Sequence, residues 1–239
     1  MKLLQHIKNN IPNAITCLNL LFGAMAIIVA FKPFDTTLWG LQGYQMAFVL
    51  IALAAVADFC DGLVARLLHA VSPLGKELDS LSDCVSFGLA PAIILYNVML
   101  AAGVSQWWSL TALLIPIFGA LRLARFNIDT RQATTFTGLP IPANAIFWIG
   151  FNNYYAAHHT LSQWLVLALI ITLSLLMVCN LRMFSLKVHG LGIKQSYRQY
   201  ILLAAAIVFI VLEGVTGLAW IIAFYVVASA LLKENEQEG

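Results

Sequence analysis

Four of the six aspartates in this 239-residue chain lie within one apolar stretch. They are Asp58, Asp61, Asp79 and Asp83. A carboxylate inside a bilayer costs about 2.5–3.5 kcal/mol on insertion scales, so four within a short stretch require a compensating cation. Carboxylate oxygens are the ligands that hard divalent metals such as Mg²⁺ prefer. The pattern therefore predicts a metal site, and such a site near a membrane surface suits chemistry on a phosphate-bearing lipid.

The spacing of these acids places them on two helix faces. Asp58 and Asp61 are three residues apart, whereas Gly75, Asp79 and Asp83 recur every four residues. Each set therefore shares one face of a helix. A tight helix-to-helix connection brings the two faces together, so that the carboxylates converge on one or two Mg²⁺ ions bridging the phosphates of a nucleotide diphosphate. One carboxylate is then available as a base for an attacking hydroxyl.

The residues around Asp61 favour a bound ligand. Gly62 and Ala65 lie on the same helical stripe, where small side chains let a bulky ligand approach the backbone. Arg66 supplies a further cation for a phosphate or for an ion pair. The alternative is that the acids pair with Arg66 or Lys76, or serve a proton relay or ion path. Four acids at this spacing disfavour that alternative.

The composition defines the elements that must position this site. Hydrophobic residues make up 61% of the chain and charged residues only 10%, with a mean hydropathy of +0.87. Soluble domains carry about 25% charged residues. The chain is therefore predicted to be an all-α, polytopic integral membrane helical bundle, with residues 1–239 forming a single membrane domain. The net charge of +2 gives no indication of nucleic acid as a partner.

Apolar runs separated by turn residues and charges predict about eight transmembrane helices. Their predicted ranges are 15–31, 44–68, 78–102, 108–126, 141–157, 161–181, 199–212 and 218–232. A single helix over 199–232 would be about 50 Å long at 1.5 Å per residue. Because the hydrocarbon core is only about 30 Å thick, a hairpin of two helices is favoured there. Pro12 and Asn13 are interpreted as the entry to the first helix.

The distribution of basic residues predicts the orientation. With the N-terminus in the cytoplasm, twelve of the thirteen Lys and Arg residues fall on the cytoplasmic side, and Lys32 alone falls outside. Both termini are therefore expected in the cytoplasm. The acidic cluster then lies at the cytoplasmic end of the second and third helices, at the cytoplasmic face of the cell membrane.

The acidic run as a whole resembles the signature of a known family. The sequence Asp58-x2-Asp61-Gly62-x2-Ala65-Arg66-x8-Gly75-x3-Asp79-x3-Asp83 is similar, at every fixed position, to that of the CDP-alcohol phosphotransferases. The resemblance implies a membrane enzyme that moves a phosphatidyl or similar group from a CDP-linked donor to an alcohol and releases CMP. It implies Mg²⁺ or Mn²⁺ held by Asp58, Asp61 and Asp79, with Asp83 as general base and further metal ligand. The CDP-binding residues that it implies are Asn13, Thr16, Asp58, Gly62, Ala65, Arg66 and Gly75.

Three further stretches, residues 11–23, residues 78–91, and residues 119–127 followed by 136–143, resemble the bacterial and archaeal phosphatidylserine synthase branch of that family. They imply CDP-diacylglycerol and L-serine as substrates, with phosphatidylserine and CMP as products. They also imply a catalytic core over about residues 11–185, and the helices within 199–232 add no motif to it. The protein is further expected to contact membrane lipids and to form a homodimer. The candidate residues for binding serine or phosphate are Ser86, Arg122, Arg125 and Lys187. The basic residues among them are equally suited to anchoring anionic lipid head groups.

Other functions remain open at this point. An enzyme of the same family acting on glycerol phosphate or inositol phosphate would need additional basic residues beside the site, and the Arg122–Arg125 stretch does not exclude it. Intramembrane prenyltransferases also hold Mg-diphosphate with aspartates, but on well-separated helices. A cation transporter would place acids near the middle of the membrane, often in both halves of an inverted repeat. No aspartate follows residue 129, which disfavours a transporter.

Overall fold

A computed structural model of the chain describes residues 2–128, 138–159, 161–181, 183 and 197–231, with only the backbone described for 2–9, 197 and 198. Within these residues the protein is all-α and forms no β-sheet, as predicted. The helices are α1 (Lys2–Ala30), α2 (Gly43–Leu67), α3 (Pro73–Ala101), α4 (Gln106–Ile128), α5 (Ile141–His158), α6 (Gln163–Val178), α7 (Tyr197–Glu213) and α8 (Gly217–Leu231).

Five apolar helical stretches of the described chain are long enough to cross a membrane, so the chain is an integral membrane protein. They are Asn10–Ala30, Gly43–Leu67, Pro73–Ala101, Gln106–Ile128 and Gln199–Leu231, the last of which includes α7, α8 and the turn between them. Helix α6 is apolar but shorter. The number of crossings beyond these five and the orientation of the termini stay predictions.

The entry to α1 differs from the prediction. Pro12 and Asn13 were expected at the start of the helix, but α1 begins at Lys2 and contains Pro12. Proline removes one main-chain hydrogen bond while its fixed φ remains helical, so the helix continues across it. The Thr16 hydroxyl donates to the Pro12 carbonyl at 3.1 Å.

A five-residue connection, residues 68–72, joins α2 to α3. Ser72 caps α3, because its hydroxyl accepts a hydrogen bond from the Gly75 N–H at 3.0 Å, and Pro73 occupies the first turn. Helix α3 therefore begins five residues before the predicted position 78. This short connection places the C-terminal end of α2 beside the N-terminal end of α3, as the acidic site requires.

Helix α3 lies at the centre of the bundle and packs against α1, α4 and α5. It widens into a π-helical turn at Cys84–Leu89, directly after Asp83. Gly23 of α1 lets the helices approach closely there, since a Cβ at this position would collide with Ser86. The contact fixes the position of α1 relative to the acidic face of α3.

The last two helices pack on the outside of this core. The chain turns at Gly214, whose φ is 57°, and a Cβ at Gly217 would collide with the Phe209 carbonyl of α7. Phe209 and Gly217 are eight positions apart and would be about 12 Å apart along one continuous helix, so the helix must be broken between them. The break lies where the sequence predicted it. Helix α8 packs against α5, and the Asn153 amide of α5 donates to the hydroxyl of Thr216, in the turn just before α8, at 3.1 Å.

Candidate active site

The acidic residues of α2 and α3 meet at one point. Oxygen atoms of Asp58, Asp61 and Asp79, one from each carboxylate, lie within 4.8 Å of one another. Asp61 is buried, and Asp58 and Asp79 are half-buried. The Oδ2 atom of Asp61 is buried and has no hydrogen-bond partner among the described residues. Three ionised carboxylates at this separation repel one another, and a divalent cation offsets that repulsion.

This donor set fits a hard divalent metal. Magnesium and manganese both accept carboxylate oxygens, and the orphaned Oδ2 atom of Asp61 supplies a ligand that the protein leaves unused. Asp58, Asp61 and Asp79 would hold the ion. Asp83 was predicted as a further ligand, but it is not in this group of three. It lies one turn deeper on α3, within hydrogen-bonding reach of the Asp58 carboxyl group.

A cleft of about 430 Å³ opens beside the three carboxylates. This volume lies within the range of about 300–1,000 Å³ that is common for small-molecule sites. The structure brings all seven residues predicted to bind CDP into its lining: Asn13, Thr16, Asp58, Gly62, Ala65, Arg66 and Gly75. Helices α1, α2 and α3 thus contribute to one continuous surface, although Asn13 and Gly75 are far apart in sequence.

Two glycines in the cleft have different surroundings. A Cβ added to Gly62 would meet nothing within 4 Å, so this position faces open space inside the cleft. A Cβ at Gly75 would lie 3.0 Å from the Asn13 Oδ1 atom and 3.2 Å from the Ser72 hydroxyl. Gly62 therefore leaves room for a ligand, whereas Gly75 lets α3 approach α1.

Lys76 is a lining residue that the sequence analysis did not include in the site. Its ammonium group donates to the Asn127 carbonyl at 3.1 Å, near the C-terminal end of α4. The Asn127 amide in turn donates to the Ser80 hydroxyl at 3.0 Å. The positive charge of Lys76 next to Gly75 could have indicated a place in the site, but Lys76 was considered in the sequence only as an ion-pair partner for one of the acids. Lys76 and Arg66 together supply two cations to a cleft lined by three acids.

Asp83 is buried beneath this cleft, with a relative exposure of 9%. The side-chain amide of Asn19 on α1 donates to its Oδ1 atom at 3.4 Å. Asn19 was part of a sequence stretch that resembled the family, but no role was predicted for it. Nothing in the sequence indicated the contact, because the two residues are 64 positions apart and on helices whose packing was unknown.

The structure separates the predicted residues for binding serine or phosphate. Ser86 does not line the cleft, because its side chain is fully buried and its hydroxyl donates to the Asn19 carbonyl at 2.9 Å. Arg122 and Arg125 line a small cavity of about 30 Å³ between the C-terminal ends of α4 and α6. Lys187 lies outside the described residues.

The two arginines differ in their contacts. The Arg125 guanidinium donates to the Val178 carbonyl at 3.0 Å, at the end of α6. The Nε atom of Arg122 is buried without a hydrogen-bond partner in the described part of the chain, and Arg122 lies within electrostatic range of Asp83. Arg122 is therefore the better placed of the two for an anionic group near Asp83.

Comparison with known proteins agrees with this arrangement. Residues 9–173 match the CDP-alcohol phosphatidyltransferase family model, and this range contains all four clustered aspartates and the cleft. The chain belongs to this family. The family match extends from α1 into α6, so α7 and α8 lie beyond it.

Relatives within the family include proteins named CDP-diacylglycerol–serine O-phosphatidyltransferase. The one from Mycobacterium leprae is 33% identical over 225 residues, covering 90% of this chain and 68% of that protein. The one from Helicobacter pylori is 35% identical over 178 residues, covering 72% and 70%. The one from Methanocaldococcus jannaschii is 40% identical over 141 residues, covering 59% of each.

Proposed function

We propose that this protein is a metal-dependent phosphatidylserine synthase, which transfers the phosphatidyl group of CDP-diacylglycerol to the hydroxyl of L-serine. The observation that carries the proposal is the convergence of three carboxylates on a cleft lined by all seven residues expected to bind CDP. The names of the relatives support serine as the acceptor. The products are phosphatidylserine and CMP.

Asp58, Asp61 and Asp79 would hold Mg²⁺ or Mn²⁺ at the cleft. The chemistry supplied there would be neutralisation of the charge that develops on the diphosphate as the anhydride bond breaks. The protein contributes two further cations, Arg66 and Lys76, to the same cleft. These side chains would contact diphosphate oxygens of the donor, Arg66 through paired N–H donors and Lys76 as a point charge.

The donor is held by surface shape as well as charge. The open side of Gly62 and the small side chain of Ala65 let the cytidine part lie against α2. Asn13 and Thr16 of α1 offer an amide and a hydroxyl to its polar edges. The acyl chains of the donor remain in the bilayer, and the cleft is proposed to open to the cytoplasmic face.

Asp83 is the proposed general base. In the transfer as a whole, the serine hydroxyl oxygen becomes bonded to the phosphorus that carries diacylglycerol. The bond from that phosphorus to the bridging diphosphate oxygen breaks, and CMP leaves with the electron pair. The proton of the serine hydroxyl passes to the Asp83 carboxylate, one helical turn beyond Asp79.

The serine carboxylate requires a cation near Asp83. Arg122 is the proposed residue, because its Nε atom is buried without a partner among the residues that the structure describes. Arg125 and Lys187 are further candidates, and the former already donates to the end of α6. Ser86 is not proposed, since its hydroxyl is occupied within the contact between α1 and α3.

The whole chain is proposed to cross the cell membrane eight times, with both termini in the cytoplasm, and to associate as a homodimer. The support for this orientation is that it places twelve of the thirteen Lys and Arg residues on the cytoplasmic side. The exposed apolar side chains of α7, of which none from Gln199 to Glu213 is fully buried, suit contact with membrane lipids.

The test is an assay of CMP release by the purified protein with CDP-diacylglycerol, Mg²⁺ or Mn²⁺, and a panel of alcohols. Serine should stimulate release, whereas glycerol 3-phosphate and inositol phosphate should not. Release stimulated by either phosphate and not by serine would contradict the acceptor assignment and leave the family assignment intact. Asp79→Asn protein provides the matched control for release by a contaminating enzyme.

A further inference from the structure

Asn19 is a fully buried polar residue at the contact between α1 and α3. Its Nδ2 atom donates to the Oδ1 atom of Asp83 at 3.4 Å, and its main-chain carbonyl accepts the Ser86 hydroxyl at 2.9 Å. Its own Oδ1 atom is buried without a hydrogen-bond partner in the described ranges. The Asn19 side chain therefore contacts Asp83 and is otherwise only partly satisfied.

A buried amide with an unsatisfied oxygen lowers the stability of the fold, so stability does not explain its presence. Leaving a buried acceptor unsatisfied costs about 1–3 kcal/mol, whereas an apolar side chain of similar shape carries no such penalty. The hydrogen bond between the Ser86 hydroxyl and the Asn19 main chain holds α1 to α3 whatever side chain residue 19 carries. The carboxamide is thus not required for helix packing, and its polar contact is with Asp83.

The contact restrains the group on which the chemistry depends. Asp83 is the last residue before the π-helical turn Cys84–Leu89, and its carboxylate can rotate about the side-chain bonds. The Asn19 donor on Oδ1 restrains that rotation, and the Asp58 carboxyl group, which lies within hydrogen-bonding reach of Asp83, is a second contact of the same carboxylate. Catalytic groups need such restraint, because small misplacements of a base lower the rate strongly.

We propose that Asn19 is a positioning residue, whose side-chain amide orients the Asp83 carboxylate toward the hydroxyl of the acceptor alcohol. This inference rests on the proposed function, because it takes Asp83 as the general base. Asn19 itself touches neither substrate nor metal in this account. It acts on the transfer step through Asp83 alone.

The test uses Asn19→Leu, which keeps approximately the size of the side chain and removes its donor. The kcat for CMP release should fall about 10- to 100-fold, as expected for loss of a hydrogen bond to a charged group. The KM for CDP-diacylglycerol and the affinity for CMP with metal should stay within about 2-fold. Ser82→Ala is the matched control, because the buried Ser82 hydroxyl also joins α3 to α1, donating to the Thr16 carbonyl at 3.3 Å.

A double-mutant cycle separates positioning from a general structural role. If Asn19 acts through Asp83, Asn19→Leu combined with Asp83→Asn should be no slower than Asp83→Asn alone. The inference would be overturned if the losses in kcat of the two single variants multiply in the double variant. It would also be overturned if Asn19→Leu leaves kcat unchanged, or if Ser82→Ala loses as much kcat as Asn19→Leu. If Asn19→Leu fails to fold in detergent, Asn19→Ala, which also lacks the amide donor and adds no charge beside Asp83, takes its place with the same expected loss in kcat.

The wild-type and Asp83→Asn arms of this experiment test the proposed function separately. Wild-type protein that releases CMP with another alcohol would contradict serine as acceptor, and the cycle would then be measured with that alcohol. Asp83→Asn protein with a wild-type kcat would contradict Asp83 as base, and the role of Asn19 would fall with it. Loss of activity in Asp83→Asn without any effect of Asn19→Leu would overturn the positioning role alone.

Discussion

At the scale of single residues, the acids of the site have unequal surroundings. Asp58, Asp61 and Asp79 share one point at the cleft, whereas Asp83 lies deeper and is held by Asn19. This difference supports two proposed roles for chemically identical side chains. The first three would bind a cation, and the fourth would accept a proton.

Removing a carboxylate from the group of three should abolish metal binding. Asp58→Asn, Asp61→Asn and Asp79→Asn replace a charged ligand with a neutral one, so each should lose Mn²⁺ binding and nearly all turnover while remaining folded. Binding of Mn²⁺ by electron paramagnetic resonance is the measurement, with CMP release beside it. Asp35→Asn is the matched control, since this exposed aspartate pairs with Lys32 away from the cleft. Full activity in excess chelator would refute metal dependence.

Asp83→Asn should separate chemistry from donor binding. General-base catalysis contributes about 10²–10⁴-fold, so a rate loss of that size is expected. Affinity for a non-hydrolysed CDP nucleotide with metal should stay close to wild type, whereas Asp61→Asn should weaken it because a metal ligand is missing. Two titrations beside the rates make the comparison. Equal loss of nucleotide binding in both variants would mean that Asp83 is mainly a metal ligand.

The helical period and a short connection were sufficient to predict that the acids, Gly62, Ala65 and Gly75 lie on two facing helix faces. Asn13 and Thr16 were predicted to line the site only from the family resemblance, and Lys76 was not predicted. The sequence did not indicate that the Ser86 and Asn19 side chains lie in a contact between helices and not in the cleft. Whether a polar residue on α1 or α3 points toward the cleft or into a helix contact depends on how the two helices rotate against each other. The close approach at Gly23 decides that rotation, and it is a tertiary feature.

At the scale of elements, the hairpin of α2 and α3 positions most of the chemistry. Ser72 ends the connection and Pro73 begins α3, and both are start signals of a helix. The apolar run alone predicted that this helix starts at residue 78, five residues later than observed. Hydropathy caused the error, because the first turn of α3 contains polar residues although it is helical. Start signals from capping were more accurate here than the apolar run.

The contact of α5 with α8 should be sensitive to side-chain volume. A Cβ at Gly150 would collide with the Ala219 main chain and lie 3.0 Å from the Thr216 carbonyl. Gly150→Val should therefore destabilise the folded protein by about 1–3 kcal/mol, the usual cost of overpacking. Thermal unfolding in detergent is the measurement. Gly62→Ala is the control for stability, since its Cβ meets nothing within 4 Å, and equal melting temperatures in both variants would contradict the packing described.

At the scale of the whole molecule, the helices that form the site, α1 to α3, lie within the part of the chain that matches the family, whereas α7 and α8 lie outside it. The family match covers residues 9–173, and α7 and α8 follow it. Helix α3 contacts α1, α4 and α5, so it connects the cleft to the centre of the bundle. Composition predicted the all-α membrane class directly. The order of helix packing was not predictable, because nearly every helix is apolar on most of its faces.

The orientation can be tested by labelling single cysteines. In protein whose four native cysteines are replaced, Trp39→Cys and Leu74→Cys place thiols at positions that are 83% and 68% exposed. A membrane-impermeant thiol reagent on intact cells should label Trp39→Cys, between α1 and α2, and not Leu74→Cys, beside the acidic site. Permeabilised cells should label both. If only Leu74→Cys is labelled in intact cells, the orientation is the opposite of the one proposed.

The acidic cleft is proposed to transfer phosphatidyl groups to serine. Purified protein in detergent micelles with CDP-diacylglycerol, Mn²⁺ and isotope-labelled L-serine measures this directly, by counting label in the lipid fraction and CMP in the aqueous fraction. We predict one mole of labelled phosphatidylserine for each mole of CMP, with neither product formed by Asp79→Asn protein or in excess chelator. CMP released without label in lipid, or labelled lipid formed equally by Asp79→Asn protein, would contradict the account.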